Sequence, residues 1–156
     1  MKNSFDNLSP LDGRYSHYTS ELAKYFSEAA LIKVRFEIEI DWLLFVLSDK
    51  FFNTPKLSNA SKKKILQFKA SFSSKSVQEV KKIESKTNHD VKAIEYFIRK
   101  YFEKDSTLKK FIPYIHLGLT SEDINSLSYA LMINNGKNIL LVKLKKLLLQ
   151  LEKLYK

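Results

Sequence analysis

Apolar positions along the chain recur at three- and four-residue steps, the period of helices. After Ser27, the row Leu31, Val34, Ile38, Trp42 and Phe45 predicts a helix with these five side chains in the core. Asn53-Thr54-Pro55 breaks the pattern and predicts a loop over 49–58. Two shorter basic helices follow, around 59–70 and 75–84. Thr87 and Asp90 stand three apart and read as a capping pair that starts a helix running to about Lys104, with His89 in its first turn. Beyond Pro113, Thr120-Ser121-Glu122-Asp123 opens another helix, because Thr and Ser are preferred caps and acids suit the positive end of a helix dipole. Thr120 with Asp123 resembles a capping box in which Asp replaces the usual Glu or Gln. Leu127, Leu131 and Asn134 continue one face until Asn134-Asn135-Gly136, which is expected to loosen it. Leu140, Leu144, Leu147, Leu151 and Leu154 then alternate steps of four and three, the seam of a bundle helix, and Leu141, Leu148 and Leu149 widen it. Such a helix needs partners on more than one side, yet the sequence stops at Lys156. The expected fold class is all-α.

Composition supports this. The 156 residues are 44% hydrophobic with 3 Gly and 3 Pro, which excludes disorder and a loop-rich scaffold. There is no Cys, so disulfides and thiolate metal sites are out. His17, His89 and His116 share no metal-ligand spacing, and no metal site is expected. The start, M-K-N-S-F-D-N, has no apolar centre for a signal peptide, and the longest apolar run, Trp42 to Leu47, is too short to cross a membrane. A soluble, cytoplasmic chain is expected, with no membrane partner.

The net charge of +10 invites a nucleic-acid reading. Residues 51–110 hold 15 Lys and Arg against 6 Asp and Glu, so the charge sits almost wholly there. Only Arg14, Arg35 and Arg99 are Arg, however, and base-edge readout favours the forked guanidinium. The lysine runs read as solvated helix faces, and no nucleic-acid partner is expected. Steering of a small anionic substrate stays open.

Three stretches carry candidate chemistry. In S-P-L-D-G-R-Y (9–15), Pro10 and Asp12-Gly13 supply a turn that presents Arg14 and Tyr15 from a loop. A guanidinium there can grip a phosphate or carboxylate in two places, or be a surface Arg with an aromatic packed beneath it. In K-T-N-H-D-V-K-A-I-E (86–95), His89 can orient, polarise or exchange a proton with an anionic ligand, or be structural. In H-L-G-L-T-S-E-D-I-N (116–125), Thr120, Ser121 and the free N–H groups behind them can hold an anionic oxygen, or simply cap a helix.

Taken together and in this order, S-P-L-D-G-R-Y, T-N-H-D-V-K-A-I-E-Y and H-L-G-L-T-S-E-D-I-N resemble the adenylosuccinate lyases, a family of the fumarase/aspartase superfamily, most closely in its longer bacterial form. Similarity also runs through F-S-E-A-A-L-I-K-V-R at 26–35. The resemblance implies an N-terminal helical domain over 1–112 and the first part of the long-helix central bundle over 113–156. It implies cofactor-free β-elimination of fumarate from adenylosuccinate, giving AMP, and from the succinylated carboxamide ribotide of purine synthesis. It assigns Arg14 and Tyr15 to the nucleotide, with Arg14 on the phosphate. Asn88, His89 and Asp90 match a substrate-binding segment, with His89 orienting the substrate, and Thr120 and Ser121 match residues that hold a succinyl carboxylate.

The departures are equally specific. The family's segment built around Thr-His, which carries the His usually assigned as acid, is absent, as is the Ser-Ser-x-Met-Pro loop with its serine base. No catalytic residue is therefore expected within these 156 residues. The chain reads as an N-terminal portion, from a truncated product or half of a split gene, and is expected to be inactive alone. The family forms tetramers through the central bundle, and each active site draws on three subunits, so a homo-oligomer is implied. The competing reading is a helical interaction module that keeps the fold without catalysis.

Overall fold

The computed structural model describes residues 9–155. The polar start at 1–7, where no signal peptide is expected, lies outside the described residues. Six α-helices make up the framework, and no strand occurs among the described residues: α1 (Ser16–Phe26), α2 (Glu28–Ser48), α3 (Asn59–Ala70), α4 (Ser74–Thr87), α5 (Asp90–Glu103) and α6 (Ser121–Tyr155). Short 3-10 segments at Lys50–Phe52 and Lys109–Tyr114 join them. The local signals are legible: Ser27 and Ser58 accept the backbone N–H groups of Ala30 and Ser61, and Ser73 with Ser76 forms a capping box. Each such cap stabilises its helix by about 1 kcal/mol.

Helix α2 is the axis of the fold, apolar nearly all round. One side, with Ile32, Phe36, Ile40, Leu43 and Leu47, enters the main core built with α3, α4 and α5. Phe36 stacks on Phe72 at 4.6 Å and meets Phe68 edge-on at 5.1 Å, arrangements worth about 0.5–1.5 kcal/mol each beyond burial. Another side sends Ile38 into a smaller cluster with Val91 and Ile124. The predicted row therefore lies off the main core: of its members only Ile38 is buried, and Phe45 is 48% exposed. A helix covered on two sides has no single apolar stripe, so periodicity picks the wrong one.

Helix α6 also departs from expectation. It runs unbroken for 35 residues through Asn134-Asn135-Gly136. Its buried face is Ile124, Ser128, Met132 and Gly136, not Leu127 and Leu131, which are 48% and 38% exposed. Gly136 seats α1: a Cβ there would lie 2.5 Å from the Phe26 ring. Past that point the helix carries its leucines in the open, from Leu140 at 48% to Leu154 at 84% exposed. The predicted seam is present and bare.

Candidate functional site

Two of the three motif stretches meet. Val91 at the start of α5 and Ile124 at the start of α6 pack together on Ile38 of α2, with Val34 and Leu119 alongside. That small cluster sets two helix N-termini side by side; their dipoles favour negative charge, which the Asp90 and Asp123 carboxylates already supply in part.

The α5 start is built differently from the sequence reading. Helix α4 continues to Thr87, whose hydroxyl donates to the Ile83 carbonyl at 3.3 Å and so closes that helix instead of capping the next. Asn88 then takes a left-handed conformation (φ 51°), which Asn tolerates better than most residues. His89 is itself the cap: its Nδ1 accepts the Lys92 N–H at 3.2 Å, so the ring stands ahead of the first turn rather than within it. Asp90 accepts its neighbour's N–H from Val91 at 2.8 Å and pairs with Arg35 Nη2 at 2.8 Å. Burial pushes the Asp90 carboxyl up, but the Val91 N–H and the Arg35 guanidinium outweigh it and hold the group below its ordinary range.

At the α6 start the capping box is complete. Asp123 Oδ2 accepts both the N–H and the hydroxyl of Thr120 at 2.7 Å, and the Thr120 hydroxyl oxygen accepts the Asp123 N–H at 3.3 Å. The Thr120 backbone N–H, then its hydroxyl, keep the Asp123 carboxyl below its usual value. The Thr120 hydroxyl is thus used within the chain. Ser121 is half-buried, and its hydroxyl makes no hydrogen bond to another described residue.

The turn leading into α6 is anchored on α2. His116 and Gly118 both have positive φ, 62° and 72°. His116 Nδ1 lies 2.5 Å from Oε1 of Glu39, and the Trp42 indole N–H donates to the Leu117 carbonyl at 2.9 Å. Glu39 is fully buried, and burial raises its carboxyl above the ordinary value despite the neighbouring His116. Beside it, Glu95 is also buried; burial pushes it up, but Lys92 and Arg99 bind it and leave it below its ordinary value. Glu39 and Arg35 were not candidates from sequence. The available signal was a charge at an interior position of an otherwise apolar helix, in V-R-F-E-I-E-I.

Arg14 and Tyr15 stand elsewhere. The guanidinium lies 5.4 Å from the centre of the Tyr15 ring, so the aromatic does pack beneath it. Helix α1 runs antiparallel to α6, with Phe26 at Gly136 and Glu21 bound to Lys143 at 3.1 Å. Lys143 is 22 residues beyond Ser121, about 33 Å along the helix at 1.5 Å per residue, and Arg14 precedes Glu21. Within one chain the arginine turn does not reach the α5 and α6 starts.

Among the described residues no group of three His, Cys, Asp or Glu could hold a metal ion, and no helix is long and apolar enough to cross a membrane. No family model matches the chain. It is 41% identical over 130 residues to the adenylosuccinate lyase of Legionella pneumophila (strain Corby), covering 83% of this chain and 28% of that protein. Against the adenylosuccinate lyase of Buchnera aphidicola subsp. Schizaphis graminum it is 39% identical over 145 residues, covering 91% and 31%. For that of Dictyostelium discoideum the figures are 35% over 154 residues, covering 95% and 33%. The chain spans about a third or less of the length of these relatives.

Proposed function

We propose that this chain, a homologue of the adenylosuccinate lyases over most of its own length, supplies part of the substrate-binding machinery of such an enzyme, acting in the cytoplasm. The reaction is elimination of fumarate from adenylosuccinate, giving AMP, and from the succinylated carboxamide ribotide. A base takes a proton from the succinyl β-carbon, the C–N bond breaks, and an acid protonates the departing nitrogen. Negative charge builds on a carboxylate of the carbanion-like intermediate, so fixed donors aimed at that carboxylate lower the barrier.

The observation that carries this reading is the meeting of the α5 and α6 starts on Ile38, which brings the two motif stretches together. Ser121 donates to a succinyl carboxylate, and Thr120 acts by shaping the turn that presents it. His89 orients the substrate from the α5 start; Asn88 gives the turn its left-handed step, and Asp90 holds it to Arg35. Arg14, with Tyr15, binds the nucleotide phosphate of a site formed with another protomer, which accounts for their separation from Ser121 along α6. Residues 1–112 act as the helical domain and 113–156 as the first part of the central bundle of a homotetramer. No nucleic acid takes part.

These 156 residues include neither the acid nor the base that the resemblance implies, so this portion alone is expected to bind without turning over. Isothermal titration with adenylosuccinate, alongside an absorbance assay for fumarate, tests this. Binding without fumarate release is expected; release by the purified chain, or no binding at all, overturns it. Adding the C-terminal part of a relative is expected to restore release.

A further inference from the structure

We propose that Glu39 is a positioning residue, which holds the His116–Gly118 turn against α2 and so fixes where α6 begins. The reading of α6 as a carboxylate site is needed only for the functional consequence of this role.

The turn needs holding. It has two residues at positive φ, and one of them, His116, is not a glycine, so its conformation is an uncommon one. Two groups on one face of α2, three residues apart, take hold of it. Glu39 lies against the His116 ring, and Trp42 binds the Leu117 carbonyl. Only two residues separate Leu117 from Thr120, the α6 cap, so a shift of the turn moves the first turn of α6 with it.

A buried carboxylate is a poor source of stability, because well-packed apolar residues often replace a buried ion pair without loss. Its contribution here is selective. Any turn conformation that swings His116 away leaves Glu39 buried without this partner, and its Oε2 already has none among the described residues. Lys92 does not take over, since its ammonium is bound to Glu95 at 2.6 Å. The pair therefore penalises alternative turns more than it rewards folding. That is how one acid in an apolar helix can set the geometry of a loop far along the sequence.

Trp42 is the only tryptophan and binds the same turn, so it reports the turn's position directly. In the full chain, Glu39→Leu is expected to move the Trp42 indole N–H resonance toward that of a solvent-exposed indole and raise acrylamide quenching, with the helical circular dichroism unchanged. Glu39→Gln keeps an acceptor for the His116 ring and is expected to restore the wild-type signals. Should Glu39→Leu fail to fold, His116→Asn serves, since Asn tolerates positive φ while losing the ring; it is expected to show the same release. Adenylosuccinate should bind about tenfold more weakly to the released variants, as a misplaced binding group requires. Unchanged Trp42 signals in the folded Leu or Asn variant would overturn the proposal. If the wild type binds no adenylosuccinate while Trp42 still responds, the carboxylate-site reading fails and the positioning role stands.

Discussion

Arg35 is 5% exposed and gives its Nη2 to Asp90 at 2.8 Å, tying the middle of α2 to the first turn of α5. The pair fixes the α5 start from one side while Val91 and Ile38 fix it from the other. Asp90→Asn removes the charge and leaves a buried guanidinium short of its partner, which is expected to destabilise the fold by about 1–3 kcal/mol. The lower half of that range applies, because the Asp90 side chain is 47% exposed and partly screened by solvent. Asp90 is held below its ordinary value of 3.8, so this stability is present above that pH and is lost as pH falls through the lower folded-state value. Urea melts of wild type and Asp90→Asn should therefore differ at neutral pH and converge in acid.

The Gly136–Phe26 contact makes a different prediction. A Cβ at 136 would come 2.5 Å from the far end of the Phe26 ring, and that side chain is 41% exposed and can swing away. Ala gains about 1 kcal/mol of helix propensity over Gly. Gly136→Ala should consequently leave the midpoint of thermal unfolding nearly unchanged while loosening α1. Hydrogen exchange should speed up over Ser16–Phe26 and stay constant in α2 and α5.

These two contacts show where sequence reading reached and where it stopped. Caps and breaks are local, so Ser27, Thr120 with Asp123, and the bounds of α3 were legible from residue types alone. The faces of α2 and α6 were not, because a helix sandwiched between neighbours shows apolar residues all round and only the tertiary partners decide which row is deepest. Asn134-Asn135-Gly136 looked like a break because Gly is a poor helix former. Its close approach to Phe26 is a tertiary fact. Among the motif residues, the pairing of the 88–90 and 120–121 stretches emerged from Ile38, Val91 and Ile124, residues that periodicity treats as ordinary core. Glu39 was hidden by the same logic: its partner is 77 residues away.

The end of α6 should make the chain associate. Leu144, Leu147 and Leu151 are 51–52% exposed, on a helix with no buried position from Lys137 to Tyr155. A continuous apolar face of this kind is covered by another helix or by aggregation. Sedimentation velocity over a wide concentration range should show mass rising with concentration. Leu144→Glu with Leu151→Glu should shift the chain toward monomer without changing the core, whose residues lie elsewhere.

Glu39 gives a pH signature opposite in sign to that of Asp90. Burial raises its carboxyl above the ordinary 4.5, with Glu95 adding to the rise and His116 and Lys92 opposing it. A folded-state value above the unfolded one means the folded chain holds this proton more tightly, so the contribution is full below pH 4.5 and is lost as pH climbs through the folded value. Glu39→Gln has no proton to lose. Relative to the wild type it should gain stability as pH rises from 4 toward neutrality, by about 1.4 kcal/mol for each unit by which the two values differ. Chemical denaturation of both proteins across that interval measures it, and parallel curves would show that Glu39 is not under this penalty.

Thr120 and Ser121 are adjacent and chemically alike, yet the structure separates what they do. The Thr120 hydroxyl is engaged in both directions with Asp123, whereas that of Ser121 has no partner among the described residues. Thr120→Ala should lower stability by about 1 kcal/mol, the ordinary effect of losing a cap, and weaken ligand binding only as far as the helix start frays. Ser121→Ala should leave stability within about 0.5 kcal/mol, as surface changes usually do, and reduce adenylosuccinate affinity by the value of a charge-assisted hydrogen bond, about 1.5–3 kcal/mol. Thermal melts and titration calorimetry on the two variants resolve the pair. A Ser121→Ala protein that melts early but binds normally would reverse the assignment, making Ser121 the structural residue of the two.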